Sequence, residues 1–497
     1  MKLGKKHFLC AAALLVLCGL AGCGDTPASP ASEQGENKEQ NNPSETNAAE
    51  TAAETEEAGI PDGLDGLDFT GKTYTVLYRD EDEHLREITE PETTGDIIND
   101  AVFDRTAAVE ERFGAKLALY PVAESDLNNT FTKLVQAGDH AFNVAFQHMI
   151  FTSSLAAAGV TVNWYDVPHL DFTKPWWTSS IDELTVNGIM YVAASDYCLN
   201  TFEMAWCLIF NKQLLADLAL DDNPYDLVKA GKWTIDKYND MAKGVSMDLN
   251  GDGKMDVNDR YGINSYGDPW FASISNYWWA CGERISRFDE NGIPYFAMES
   301  EKTQEVFDKM FRLLNEDNTS YMDQTKGTDM IFWKGQSLFA SMMIRDVEVN
   351  RDKDLPYGLV PYPKYDEAQE TYQTLVDGHA SMMALPVFLD EEELDFTGAM
   401  IEAFSAEAYN RVIPAYYETA MQVKFAQDEN MSEMLELVRQ GRVFNFGYLY
   451  DVVPNRDVLV NLIIKKKTEL ASQIEKAKKK TVNYYDKVIG EYMSGSN

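Results

Sequence analysis

Basic residues, cysteine and recognisable catalytic motifs are what this chain has little of. Its 497 residues carry 43 Lys and Arg against 81 Asp and Glu, a formal net charge of −38, with six His. So acidic a surface argues against nucleic acid and anionic membrane as partners, because both would repel it. It suits a neutral or cationic ligand. Of six cysteines, three fall in the first 23 residues and none forms a C-x-x-C pair. The remaining Cys198, Cys207 and Cys281 are too sparse and odd a set for a disulfide framework. Cys207 lies in the apolar run 205–210 and reads as a small core residue. There is no G-x-S-x-G, no H-E-x-x-H and no metal-ligand spacing among the histidines. A glycosidase needs two carboxylates at a set separation, and nothing among so many acidic residues selects a pair. Only one long uncharged apolar run occurs, Phe8 to Leu20, and it is too short to span a bilayer as a helix.

That run follows Lys2, Lys5 and Lys6 and ends in Leu20-Ala-Gly-Cys23. The order of basic start, apolar stretch and small residues is that of a secretory signal over residues 1–22. The Cys directly after it resembles a bacterial lipobox, which predicts lipidation of Cys23 and a protein anchored at the extracellular face of the cytoplasmic membrane. Residues 24–60 hold nine acidic residues, one Lys and no aromatic. Such a segment cannot bury enough apolar surface to offset its ordering entropy, so 23–60 reads as a disordered tether. Folded structure is expected from about Pro61, with enough residues for two or three domains.

Beyond it, strand and helix signals alternate. Thr73–Tyr78, Lys116–Tyr120 and Phe142–Gln147 read as strands. Ile97–Phe113, Leu127–Gln136 and Phe151–Ala158 read as helices stopped by Gly114, Gly138 and Gly159. Ile189–Ala194 and Met204–Asn211 are extended runs. A second series spans about 212–375, with helices at 212–218, 235–245 and 303–314 and strands at 337–343 and 358–360. Ala380–Leu385 then reads as a strand, Glu391–Ala408 as a helix and Asp457–Tyr492 as one long helix. Alternation of this kind implies βαβ units around mostly parallel sheets. The prediction is two α/β lobes with the chain crossing between them near 196–206 and 375–385: lobe 1 from 61–200 plus about 378–410, lobe 2 from about 205–375 plus 411–497. Ligands on open α/β sheets bind beyond the carboxyl ends of the strands, so two facing sheets make a cleft.

Three motifs bear on ligands. DLNGDGKMDVND, residues 248–259, places oxygens at loop positions 1, 3, 5, 9 and 12 through Asp248, Asn250, Asp252, Asp256 and Asp259. Position 7 adds the carbonyl of Lys254, and Gly253 sits at the sharp turn. Hard Ca²⁺ takes six to eight oxygens at such spacing, so a structural calcium ion is expected. The last ligand is Asp rather than Glu, which resembles dockerin calcium loops. Gly66–Thr73 (GLDFTGKT) satisfies the phosphate-loop pattern but precedes a strand instead of opening a helix, which rules against nucleotide binding. Finally, aromatic residues cluster, with nine Trp in all. Flat aromatic faces pack on sugar rings, and Tyr266-Gly-Asp-Pro-Trp270 lies in a loop where a Trp has less reason to be core. Trp278 and Trp279, read as a strand, would point opposite ways, so one at most would face a ligand.

With the lipobox and acidic tether, the segments Ile209-Phe-Asn-Lys-Gln-Leu-Leu215, Gly231-Lys-Trp-Thr-Ile-Asp236, the 248–259 loop running on to Arg260-Tyr-Gly, Val360-Pro-Tyr-Pro-Lys364 and Ile413-Pro-Ala-Tyr-Tyr417 make 61–497 resemble the carbohydrate-type extracellular solute-binding lipoproteins of ABC importers (family 1, Gram-positive type). The resemblance implies a two-lobed, type II periplasmic-binding-protein-like α/β fold. It further implies a monomer that closes by hinge bending on a small solute, most readily a mono- or oligosaccharide, and docks on membrane permease subunits. By position it implies cleft contacts from Asp80, Glu81, Gln147, His148, Asp196, Tyr197, Tyr266, Trp270, one of Trp278 and Trp279, Glu283, Arg345 and Asp377. Asn143 stands where family members often carry Asp. A glycan-degrading lipoprotein, an all-helical surface glycan binder, and a binder of peptides or other non-sugar solutes remain open alternatives on sequence alone.

Overall fold

The computed structural model describes residues 59–178, 181–266, 272–323, 330–421, 429–451 and 455–494. Cys23, nearly all of the acidic segment and Trp270 lie outside them. Two sheets organise the described residues. The first contains Thr73–Arg79 (β1), Lys116–Val122 (β2) and Val144–His148 (β3), with Ser381–Ala384 (β9 in chain order) as its fourth strand. The second contains Trp206–Asn211 (β4), Tyr261–Tyr266 (β5), Ser320–Asp323 (β6), Ser337–Met343 (β7) and Tyr357–Val360 (β8). The strand orders are β9-β3-β1-β2 and β8-β4-β7-β5-β6.

In the first sheet β1 pairs parallel with β2 and β3, and β9 pairs antiparallel with β3. In the second, β5 pairs parallel with β6 and β7, while β4 runs antiparallel to β7 and β8. The odd strands have one cause. β4 and β9 are where the chain enters each sheet after leaving the other, and each enters at the carboxyl end of its neighbour: Trp206 faces Met343 and Ser381 faces His148. Both crossings thus lie on the side where a ligand site is expected.

Local sequence explains the first-sheet helices. The carboxylate of Asp96 accepts from the N–H groups of Ile98 and Asn99 to start Ile97–Phe113. Gly114, at φ 65°, ends it in the left-handed conformation that glycine adopts without steric cost. Ile98, Val102, Val109 and Phe113 bury one face at helical spacing. We label Asp82–Ile88 α1, Ile97–Phe113 α2, Glu124–Ala137 α3, Met149–Ala157 α4, Ala272–Ala280 α5, Ile344–Val349 α6, Glu391–Glu407 α7, Asn455–Ile464 α8 and Leu470–Ser494 α9. One apolar core runs without a break from the first sheet through the crossing residues Tyr197, Leu199, Phe202 and Met204 into the second; a smaller one, with Leu77, Phe131 and Phe142, fills the space between the first sheet and α3.

Three sequence expectations change. Trp278 and Trp279 sit on helix α5, not on a strand. Every residue of α5 is buried, so no apolar–polar period was there to read. The run 189–194 is buried but joins no ladder, its backbone making isolated bridges between Ile189 and Val186 and between Ala193 and Met383, and a further bond between Met190 and Trp164. The expected long terminal helix breaks into α8 and α9 at three consecutive lysines, where Lys466 takes φ 52° and the N–H of Lys467 returns to the carbonyl of Leu462. Gly66–Thr73 leads into β1 and opens no helix, in line with the sequence reading.

Candidate functional site

The carboxyl end of β3, the second crossing, the start of α5 and the C-terminal segment meet around one cavity of about 200 Å³. From the first sheet comes His148, which ends β3 and caps α4, its ring nitrogen accepting from the N–H of Ile150. The second crossing supplies Asp377, Gly378 and His379. Across from them stand Ala272 and Ser275 of α5, then Tyr448, and Arg456 and Asp457 from the first turn of α8. At Gly378 the crossing runs close to its neighbours: a Cβ there would lie 2.3 Å from Ile150 Cδ1 and 3.0 Å from the Tyr448 hydroxyl, so those side chains would have to shift.

The cavity is lined by polar and apolar groups in similar measure. Asp377 accepts from the backbone N–H of His379 at 3.1 Å. Burial, and then the charge of Arg79, push the His148 imidazole down to about 2, so it is a neutral ring at physiological pH. Behind His379 stands a charged cluster. Its Nε2 lies 3.2 Å from Glu83, and Arg345, from α6 of the second sheet, reaches the same carboxylate at 2.6 Å. The His379 hydrogen bond, with Arg345 beside it, holds Glu83 at about 2, fully ionised. Further pairs continue this seam between the sheets. Arg86 on α1 meets Glu348 at 3.0 Å and Glu203 at 3.1 Å, and Arg351 meets Asp96 at 3.2 Å.

The sequence-predicted contacts divide into three groups. His148 and Asp377 line the cavity, and Glu81 and Arg345 belong to the charged cluster beside it; Asp80 is exposed at the end of β1. A second group is buried and engaged elsewhere. Gln147 donates to Asn128 and accepts from its own neighbour's N–H, and Tyr197 stacks on Phe404. Asp196 is held by Arg439 at 2.9 Å and Arg442 at 2.7 Å. Glu283 accepts from Ser300 and Thr303, and Trp278 and Trp279 are each 1% exposed in the core. The third group, the Tyr266 side chain and Trp270, falls outside the description. Sequence reading missed His379, Tyr448, Arg456 and Asp457. His379 had a signal, since Asp377-Gly-His379 is a turn that opens a strand at a crossing. The other three come from a C-terminal segment that reads only as helix.

Asp248, Asn250, Asp252, Asp256 and Asp259 form a closed loop. Asp248 accepts from the N–H groups of Gly251 and Gly253, Asp252 from Lys254, and buried Asp259 from Leu249 and Asp256. Each carboxylate oxygen has a second lone pair, so these bonds leave acceptor capacity for a hard cation. Among the described residues, the set of His, Asp and Glu whose ligand atoms lie within 4.8 Å of one another is elsewhere, in the charged cluster.

No protein-family model matches the chain, and no curated protein sequence does. Solved structures do. The sugar-binding protein MalE of Xanthomonas citri is 11% identical, with TM-score 0.55 over 84% of this chain and 98% of that one. The cyclic α-maltosyl-1,6-maltose binding protein of Arthrobacter globiformis is 13% identical, with TM-score 0.53 over 85% and 98%. The ABC substrate-binding protein Lmo0181 of Listeria monocytogenes, solved with cycloalternan, is 15% identical, with TM-score 0.51 over 84% and 99%. The fold is that of ABC solute-binding proteins.

Proposed function

We propose that this chain is the solute-capturing component of an ABC importer, that its solute is a carbohydrate, and that it is no enzyme. The observation that carries the reading is the cavity itself, built from the carboxyl end of a first-sheet strand, the start of the helix that follows β5, the C-terminal segment and the crossing between the sheets. Solved proteins of this fold bind oligosaccharides. At about 200 Å³ the space is below the roughly 300–1,000 Å³ of most small-molecule sites, which favours one or two sugar rings in this arrangement. Asp377, Asp457 and Arg456 offer hydroxyl partners and Tyr448 an aromatic wall. A ligand touching both sides binds the closed arrangement better and so shifts the population toward it. Cys23 would carry the lipid that holds the protein beside its permease, and the protein would act as a single copy. The 248–259 loop would hold calcium in a structural role, since a shell full of carboxylates leaves no position for chemistry.

Thermal denaturation against a panel of mono- and oligosaccharides tests this. At least one should raise Tm by mass action, and Asp457→Asn, at a partly exposed position of the cavity wall, should shrink that rise while leaving the ligand-free Tm within a few degrees. A panel in which no carbohydrate moves Tm contradicts the reading.

A further inference from the structure

The charged cluster behind the cavity is more than a seam of ion pairs. Glu81, His84, Glu124 and His379 come from four places in the sequence: the turn after β1, α1, the start of α3 and the second crossing. One ligand atom of each lies within 4.8 Å of those of the others. We propose that these four residues form a binding site for a first-row transition dication such as Zn²⁺ at the wall of the cavity.

His84 supplies an observation independent of the clustering. It is 0% exposed, and its Nε2 has no hydrogen-bond partner. That atom is aimed at the carboxylates of Glu83 and Glu81, 3.6 and 3.7 Å away, too far to satisfy it. A buried ring nitrogen left without a partner is costly unless something unseen completes it. A metal at about 2.0–2.2 Å from each of four tetrahedral ligands would set neighbouring ligand atoms about 3.4 Å apart. The Nε2 of His84 to Glu81 at 3.7 Å and Nδ1 of His379 to Glu124 at 3.9 Å need to tighten by only a few tenths.

The surroundings complete the pattern. A metal-bound imidazole usually gives its other N–H to a carboxylate, which fixes the ring. His379 presents Nε2 to Glu83 at 3.2 Å, leaving Nδ1 toward the site, and Arg345 anchors Glu83 from the other side. For His84, Nδ1 has Glu87 at 3.5 Å and the Asn200 side chain at 2.8 Å. Turning that amide over offers Nδ1–H the Oδ1 of Asn200, which is otherwise buried without a partner. Arg79 donates to Ser381 and, at 3.1 Å, to Nδ1 of His84, so metal binding at Nε2 also requires this guanidinium to release the ring nitrogen as Nδ1 takes the proton. Four carboxylates (Glu81, Glu83, Glu87, Glu124) face two guanidiniums (Arg79, Arg345), so a dication neutralises the cluster. Imidazole together with carboxylate selects a transition metal over Ca²⁺ or Mg²⁺, which separates this site from the 248–259 loop.

The test needs no solute. The purified protein, stripped with chelator, is titrated with Co²⁺, read by visible d–d absorption, and with Zn²⁺, read by calorimetry. One equivalent should bind. His379→Ala and Glu124→Gln, both at partly exposed positions, should each weaken binding about tenfold or more. His84→Ala should abolish it if circular dichroism shows the fold intact. Asp248→Asn, in the loop, should leave Co²⁺ affinity unchanged. Unchanged affinity in both His379→Ala and Glu124→Gln, or no uptake by the folded wild-type protein, overturns the proposal. Carbohydrate binding is scored separately, so failure of either reading does not hide the other.

Discussion

At the residue scale, burial decides which polar side chains serve structure. Asp196 reads from its place in the sequence as a cleft residue, yet its carboxylate is spent on Arg439 and Arg442, with all three side chains at most 5% exposed. Removing one partner of such a group leaves charge buried without compensation. Asp196→Ala is therefore expected to cost about 3–5 kcal/mol in urea unfolding. A loss under about 1 kcal/mol would mean the two arginines find water. Glu402 gives a pH signature. It accepts from the indole N–H groups of Trp176 and Trp177, but burial pushes its carboxyl from an ordinary 4.5 to about 7. Between those values the folded state keeps a proton the unfolded chain has released, so stability falls as pH rises, and the deficit is complete above pH 7. Relative to Glu402→Gln, which has no such titration, wild type should lose about 2–3 kcal/mol between pH 5 and pH 8. Parallel pH profiles for the two proteins would contradict this. What sequence spacing cannot show is this choice between a wet carboxylate and a buried one; it depends on residues 226 positions away for Trp176 and Glu402.

At the element scale, amphipathic pieces were legible and uniformly buried ones were not. α2 follows its sequence limits because Asp96, the apolar spacing and Gly114 all agree. α5 carries no period because it is buried all round, so its two tryptophans were read as strand and as ligand contacts. Placed in the core, Trp278→Ala is expected to cost about 3–5 kcal/mol, whatever its effect on solute binding. Loss of solute binding with stability unchanged would restore it to the site. The 248–259 loop is an element whose sequence states its chemistry. Ca²⁺ should raise Tm, EDTA should reverse the rise, and Asp248→Asn should remove it; a Tm indifferent to both reagents would leave the loop as an acidic turn held by its own hydrogen bonds.

For the whole molecule, the alternation of strand and helix announced two α/β sheets, and the crossings near 196–206 and 375–385 fall where the chain does change sheets. The cavity is the joint product of segments hundreds of residues apart, which is why Tyr448 and Arg456 could not be foreseen from local pattern. The core continues through the first crossing, and Arg86 pairs with Glu203 and Glu348 beside it, so the closure proposed above is expected to be a limited bend that keeps these contacts. The most direct test is small-angle X-ray scattering with and without the carbohydrate that raises Tm. The account predicts a smaller radius of gyration in the bound protein, reversed by washing the sugar out. A carbohydrate that binds and leaves the scattering curve unchanged would contradict capture by closure between the two sheets.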